Sequence, residues 1–452
     1  MAFSVEGKQV TVVGAARSGK AAAALLAQRG ARVILSDISE TVSDAESLRR
    51  LGVELELGGH VAESFTNAAL LVLSPGVPPD LPLVAAARER GVPVIGEVEL
   101  ASRWLTGRVI AITGTKGKST TTELTGRILE AAGFSVTVGG NIGAPLSAQV
   151  EQSTPDTFHV VETSSFQLEQ IETFHPWIAV MLNFSPDHLD RHVSIDAYAA
   201  AKTRIFVNQE PSDWAVINAD DPQVLDMARR SRARTRVFAR RSADVAGTRI
   251  EDGWIVDANG DRHERLVPLD AIHLLGPHLV EDVMAAATVG VIAGVAPAAM
   301  TAAVESFRGL EHAMELVAER DGVKFVNDSK ATNVEAALRS IESFESGLVP
   351  IMGGRFKGGD LRLLRTQLAA RAKAVVAIGE ARPLLREAFS GAVEFHEAES
   401  LEEAVRMAFA LARPAGVVLL APACASFDMF RDYADRGRTF RVEAARIARG
   451  DA

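Results

Sequence analysis

Two glycine-rich stretches stand between an apolar run and a helical pattern, and each has the residue types to hold phosphate. The second, Thr113-Gly114-Thr115-Lys116-Gly117-Lys118-Ser119-Thr120, is suited to a triphosphate. Glycines at 114 and 117 permit the tight curve that turns successive backbone amides inward. Lys118 supplies a cation for the β- and γ-phosphates, and the Ser119 hydroxyl an oxygen for Mg²⁺. It is shorter than the general phosphate loop, because Ile112 stands where a first glycine would. The first stretch, Gly14-Ala15-Ala16-Arg17-Ser18-Gly19-Lys20-Ala21, has Walker A spacing but ends in Ala21, so it lacks the hydroxyl that ligates Mg²⁺. Ala16 also replaces the second glycine of the dinucleotide fingerprint. A helix N-terminus after a strand still favours anions. The expectation here is a diphosphate-containing ligand, with Asp37 at the next strand end meeting its base or sugar. A glycine turn without a ligand is the alternative.

These loops need elements to position them. Apolar runs at 9–13, 32–36 and 70–73, an Ala-rich helical pattern through Gln28 and the turn cluster 74–79 predict a Rossmann-like domain over 1–97. A strand at 108–113 feeds the second loop and a helix over 120–132. Strands at 158–161, 178–182 and 214–217, a β-rich elaboration over 236–275, and helices over 282–292 and 297–307 complete a central P-loop domain, 98–307. Strands at 323–326, 348–352, 374–378 and 417–420 alternate with helical patterns in a second Rossmann-like domain, 308–452. The fold class predicted is α/β, in three domains.

The chain has 452 residues, more than one hydrophobic core serves. Its net charge of -10 and 6% aromatic content argue against a nucleic-acid binder, which needs clustered cations and stacking platforms. The single cysteine, Cys424, excludes an intramolecular disulfide. No apolar stretch is long enough to span a bilayer, and the start MAFSVEGKQV has no export signal. A cytoplasmic protein without membrane insertion is expected.

The second loop resembles the GTxGKST element of the Mur ligases and folylpolyglutamate synthases, and further matches follow in order: Gly139-Gly140-Asn141-Ile142-Gly143, Glu162-Thr163-Ser164-Ser165-Phe166-Gln167-Leu168, and Pro186-Asp187-His188-Leu189-Asp190-Arg191. Later come Phe307-Arg308-Gly309-Leu310-Glu311-His312, Asn327-Asp328-Ser329-Lys330-Ala331-Thr332-Asn333, Gly353-Gly354-Arg355-Phe356-Lys357-Gly358-Gly359-Asp360 and Pro422-Ala423-Cys424-Ala425-Ser426-Phe427-Asp428. These motifs span nearly the whole chain and are most similar to the D-glutamate-adding branch of the Mur family. The resemblance implies an ATP-dependent ligase that adds D-glutamate to UDP-N-acetylmuramoyl-L-alanine in peptidoglycan precursor synthesis, acting as a monomer with two Mg²⁺ ions, or Mn²⁺ in their place. A sister ligase adding another amino acid, such as L-glutamate, is the alternative.

The same resemblance implies roles. Gly114, Thr115, Lys116, Gly117, Lys118, Ser119 and Thr120 would hold ATP, and Ser119, Glu162 and His188 the metal ions. Lys202, which the helical pattern alone makes a surface lysine, would be carbamylated by CO₂ and so order the metal site. Asp282, Asp328 and Lys330 would contact ATP. The family tends to carry Asn where Asp282 stands, and a carboxylate there would repel a triphosphate unless it faces the base amino group or a cation. It also has Arg where Ala313 follows His312, so Arg308 is a candidate substitute. Arg17, Ser18, Asp37, Ser74 and Gly76 match positions holding the UDP moiety, although the family usually has a hydrophobic residue in place of Arg17. Asn141 and His188 would meet the sugar and alanyl end. Thr332, Lys357 and Ser426 would hold the carboxylates of D-glutamate, with Phe427 and Tyr433 as walls. For Thr332 the residue alone allows helix capping instead. Other classes, a P-loop kinase or a non-catalytic nucleotide module, lack a use for the later motifs.

Overall fold

The computed structural model describes residues 3–187, 191–242, 245–274 and 277–451. The chain divides into two compact units, Met1–Ala271 with Glu281–Val304, and Ile272–Val280 with Glu305–Ala452.

The first unit holds two sheets. Strands β1 (Gln9–Val13), β2 (Arg32–Asp37), β3 (Glu54–Leu57), β4 (Leu70–Leu73) and β5 (Val94–Gly96) are all parallel, in the order β3-β2-β1-β4-β5. The order reverses beside β1, the place where doubly wound sheets open a crevice at their carboxyl ends. The helix Arg17–Gln28 lies close to the sheet because its buried face is small, with Gly19, Ala22 and Ala23 beside Leu25 and Leu26. A Cβ on Gly19 would stand 1.8 Å from the Gly14 carbonyl oxygen, so only glycine lets helix and loop meet.

The larger sheet contains β6 (Arg108–Thr113), β7 (Ser135–Gly140), β8 (Thr157–Glu162), β9 (Ile178–Met181), β10 (Trp214–Asn218), β11 (Arg234–Ala239), β12 (Gly247–Glu251), β13 (Trp254–Asn259) and β14 (Arg262–Pro268). Its order is β14-β13-β12-β11-β10-β9-β6-β8-β7, parallel from β7 to β12 and antiparallel beyond. Strand β6 lies between β8 and β9 with Val109–Ile112 buried, the continuous apolar run of a strand covered on both faces. The β-rich expectation over 236–275 corresponds to β12 to β14.

The two sheets pack as one unit across a joint that is partly apolar, with Leu25, Val98 and Ala101 against Leu146 and Val150. It is also hydrogen-bonded. Glu99 is fully buried, yet it accepts the amides of Glu172, Thr173 and Phe174 at 2.8 to 2.9 Å and pairs with Arg103 at 2.9 Å. Burial alone would raise its pKa, but the Thr173 hydroxyl, these amides and Arg103 together hold it below the usual range.

The second unit has one sheet: β15 (Glu315–Arg320), β16 (Val323–Asn327), β17 (Leu348–Gly353), β18 (Ala374–Ile378), β19 (Glu394–Glu397) and β20 (Gly416–Leu420), ordered β15-β16-β20-β17-β18-β19. Only β15 runs antiparallel. Alternate residues feed two cores, Val326, Leu348, Val417 and Leu419 on one face, Phe325, Val349, Val418 and Leu420 on the other. Among the described residues no helix is long and apolar enough to cross a membrane.

Candidate functional site

The loop after β6 opens the helix Lys118–Ala131, whose N-cap is Gly117 at φ 79° with no side chain capping it. A helix N-terminus placed after such a loop favours an anion. Residues remote in sequence brace the loop. Asn183 Oδ1 accepts the amides of Thr115 at 3.1 Å and Lys116 at 2.8 Å, while the Thr115 hydroxyl donates to the Ser185 carbonyl at 3.1 Å and lies 3.3 Å from the Tyr198 hydroxyl. Lys118 Nζ donates to the Thr115 carbonyl at 3.0 Å. At the end of β8, Glu162 accepts from Ser119 Oγ at 2.6 Å through one oxygen and from Asn141 Nδ2 at 2.7 Å through the other. Sequence alone named Lys118, Ser119, Glu162 and Asn141, and they meet here. It did not find Asn183 or Tyr198, whose importance lies only in contacts across the sheet. His188 lies outside the described residues. Following that segment, the buried His192 reaches Ser165 Oγ at 2.9 Å and Glu169 at 3.2 Å.

Lys202 is no surface lysine. It is 2% exposed, on the helix Ile195–Thr203, and donates to the Gly114 carbonyl at 2.7 Å. Burial, with repulsion from Lys118, pulls its pKa down to about 7 against the attraction of Asp187 and Glu162. The amine is therefore part neutral at physiological pH.

Asp282 is buried against the same loop, with Oδ1 2.1 Å from where a Cβ on Gly117 would stand. Burial pushes its carboxyl well above the ordinary carboxylate range, Glu281 adds to this, and the neighbouring Thr121 and Lys118 pull the other way. Burial thus opposes a charged carboxylate at this position.

Around β1, Arg17, Ser18, Asp37, Ser74, Gly76 and Asn141 all line one cavity of about 680 Å³, together with Ile38, His60 and Gln167, which the sequence did not single out. Asp37 is partly committed to the chain itself, accepting the amides of Ala15 at 2.5 Å and Ser39 at 2.8 Å. Burial would raise its pKa, and these bonds outweigh that and lower it. Lys20 turns to Asp44 at 2.8 Å, so the first loop does not aim its lysine as a phosphate loop would. Arg17 reaches the Gly143 carbonyl at 2.9 Å. Asn141, lining this cavity while bonded to Glu162, joins it to the phosphate loop.

In the second unit, Thr332 Oγ1 accepts from Lys357 Nζ at 3.2 Å. Asn333, not Thr332, caps the helix Val334–Glu342. Ser426 is buried, while Phe427 and Tyr433 are 64% and 42% exposed. Asp328 is buried below Lys330, accepting from the Met314 amide at 3.2 Å and from the Ser340 hydroxyl. Burial raises it to about 6 despite those bonds and Lys330. Arg308 bonds the nearby Glu305 carbonyl. Cys424 is buried, its thiol pushed up to about 12, which suits packing rather than reactivity. Also missed by the sequence reading was Arg436, 1% exposed among these loops.

Models of three protein families match the chain in succession: Mur ligase MurD-like N-terminal domain over 8–96, Mur ligase middle domain over 112–290, and Mur ligase glutamate ligase domain over 312–424. Curated relatives include the UDP-N-acetylmuramoylalanine--D-glutamate ligase of Acidobacterium capsulatum, 47% identical over 97% of this chain and 96% of that protein. That of Koribacter versatilis is 44% identical over 99% of each. Among solved structures, the UDP-N-acetylmuramate-alanine ligase of Thermotoga maritima superposes with a TM-score of 0.59 over 98% of this chain and 100% of that one at 20% identity. The pseudomurein peptide ligase type C of Methanothermus fervidus does so at 0.57 over 97% and 100% at 16% identity. At such identities the likeness is one of fold.

Proposed function

This chain belongs to the Mur ligase family, and from that premise we propose that it joins D-glutamate to UDP-N-acetylmuramoyl-L-alanine with ATP, through an acyl phosphate. The observation that carries the reading is Asn141. It lines the cavity suited to a nucleotide sugar and bonds Glu162, itself bonded to Ser119 at the phosphate loop. A carboxylate at the sugar end of that cavity would sit beside the γ-phosphate.

In the reaction so inferred, the alanyl carboxylate attacks the γ-phosphate and ADP leaves. The amine of D-glutamate then attacks the acyl phosphate carbonyl, a tetrahedral intermediate collapses, and phosphate departs. The chain's part is positioning and electrostatics. The helix N-terminus after Gly117 and the Lys118 ammonium stabilise charge on the transferring phosphoryl group. Asn183 and Tyr198 hold the loop in that shape. Arg17 and Ser18 bind the diphosphate, Asp37 and Ile38 the nucleoside, and Thr332, Lys357 and Ser426 the carboxylates of D-glutamate.

The residues present fit Mg²⁺. Ser119 and Glu162 offer hard oxygens 2.6 Å apart, and phosphate and water complete such sets. Ser119 and Glu162 would hold one ion and, as the family resemblance implies, His188 a second near the substrate carboxylate, and the ions would neutralise phosphate charge. Lys202 favours carbamylation, because an amine brought to about 7 by burial has the neutral form that adds to CO₂, releasing a proton.

ADP release with UDP-N-acetylmuramoyl-L-alanine against a panel of amino acids tests the reading. D-Glutamate should be required. Preference for the L-isomer, or turnover indifferent to the amino acid, would overturn it.

A further inference from the structure

Arg436 lies in the first turn of the helix Tyr433–Arg449 and is 1% exposed. Its Nε donates to Ser329 Oγ at 2.9 Å. One terminal nitrogen donates to the carbonyls of Ser329 at 3.0 Å and Cys424 at 3.2 Å, the other to those of Cys424 at 3.2 Å and Gly353 at 3.4 Å. Every acceptor is neutral. Among the described residues no carboxylate pairs with it, and Asp428 is the acidic side chain whose charge it feels. Burial lowers its pKa only to about 10, so it stays a cation at neutral pH.

It ties the loops after β16 and β20 and the last residue of β17, strands that are neighbours in the order β16-β20-β17. The segment after β16 carries Lys330 and Thr332, that after β17 Lys357, that after β20 Ser426 and Phe427, and its own helix begins with Tyr433. Every residue read as holding the amino acid thus stands on a segment that this guanidinium fixes. A buried charge without a counter-ion is costly, and a neutral side chain could hold carbonyl groups more cheaply. A charge in that position does something a neutral one cannot. It raises the potential around the segments read as holding D-glutamate, which with its amine deprotonated for attack carries two negative charges.

We propose that Arg436 is a positioning residue for the amino-acid substrate, its fork setting three segments in register and its charge, paired with no carboxylate and opposed only at a distance by Asp428, favouring a dicarboxylate. This rests on the reading of D-glutamate as acceptor, which D-glutamate-dependent ADP release by the unaltered protein establishes separately. With that in hand, Michaelis constants for D-glutamate and for the UDP substrate are measured in Arg436→Gln, Arg436→Lys and Asp428→Asn.

Arg436→Gln should raise the constant for D-glutamate by about tenfold or more while moving that for the UDP substrate by less than about twofold. Arg436→Lys, which keeps the charge and loses the fork, should fall between. Asp428→Asn, which removes the opposing charge and leaves Arg436 in place, should lower the constant for D-glutamate about twofold to threefold. A folded Arg436→Gln with an unchanged constant for D-glutamate, or with both constants raised in parallel, overturns the proposal. If Arg436→Gln does not fold, Asp428→Asn decides: a constant for D-glutamate that stays the same or rises overturns it.

Discussion

Replacing Asp328 by Asn should stabilise the second unit while impairing the enzyme. Asp328 is 8% exposed and its carboxyl is raised from 3.8 to about 6, because burial outweighs the bonds from Ser340 and Met314 and the attraction of Lys330. A group whose folded pKa is raised adds stability below its unfolded pKa, and that contribution is lost as pH rises through the folded value. The window here runs from about 4 to 6. Above it, the shift of about two units corresponds to a penalty of about 3 kcal/mol for holding the carboxylate in place. Asn avoids the charge and can keep the geometry. Its Oδ1 still accepts from the Met314 amide, and its Nδ2 can donate to Ser340 Oγ, which then donates to the Ala336 carbonyl already 2.9 Å away. Because the chain has two units, a single global midpoint is not a two-state quantity, and local opening is the proper readout. Hydrogen exchange of β16 and β20, followed by mass spectrometry, should show Asp328→Asn slowing their opening by roughly a hundredfold at pH 8 and by little at pH 4. ADP formation should fall. A difference that is flat with pH, or that is largest in acid, refutes the reasoning.

Lys118→Ala and Glu162→Ala should each lower kcat by about 10² to 10³ or more with circular dichroism unchanged, since both act on charge at the phosphates rather than on packing. Lys202→Ala should lose activity and recover part of it with added acetate, and the unaltered protein should lose activity in CO₂-free buffer and regain it with bicarbonate; full activity in the Ala variant counts against a carbamate. Gly117→Ala combines a φ of 79° with a Cβ 2.1 Å from Asp282 Oδ1, so calorimetry should show ATP affinity reduced by about 2 kcal/mol or more, partly restored by adding Asp282→Ala.

The sequence made the central strands legible and hid the edges. Among the strands without an expected counterpart, β3, β5, β7, β15 and β19 each lie at the edge of a sheet. An edge strand needs no continuous apolar run, and Glu-Leu-Glu-Leu in β3 or Glu-Phe-His-Glu in β19 reads as polar chain. The phosphate loop was legible because its chemistry is local. Lys202 was singled out only by the family resemblance, because nothing in Tyr-Ala-Ala-Ala-Lys itself says which face of the helix meets Gly114. Asn183, Tyr198 and Arg436 act through partners 67 or more residues away or through several loops at once, a kind of information that spacing does not carry.

The bond from Lys202 to the Gly114 carbonyl bears on how this protein would respond to dissolved inorganic carbon. A carbamate nitrogen keeps one hydrogen, so a carbamylated side chain could retain the same anchor. Gain and loss of CO₂ would then change the charge beside the loop without remaking the loop. Activity would track the gas as a graded occupancy, reversible on the time of carbamate exchange, and protein stored in carbonate-free solution would be dormant rather than denatured.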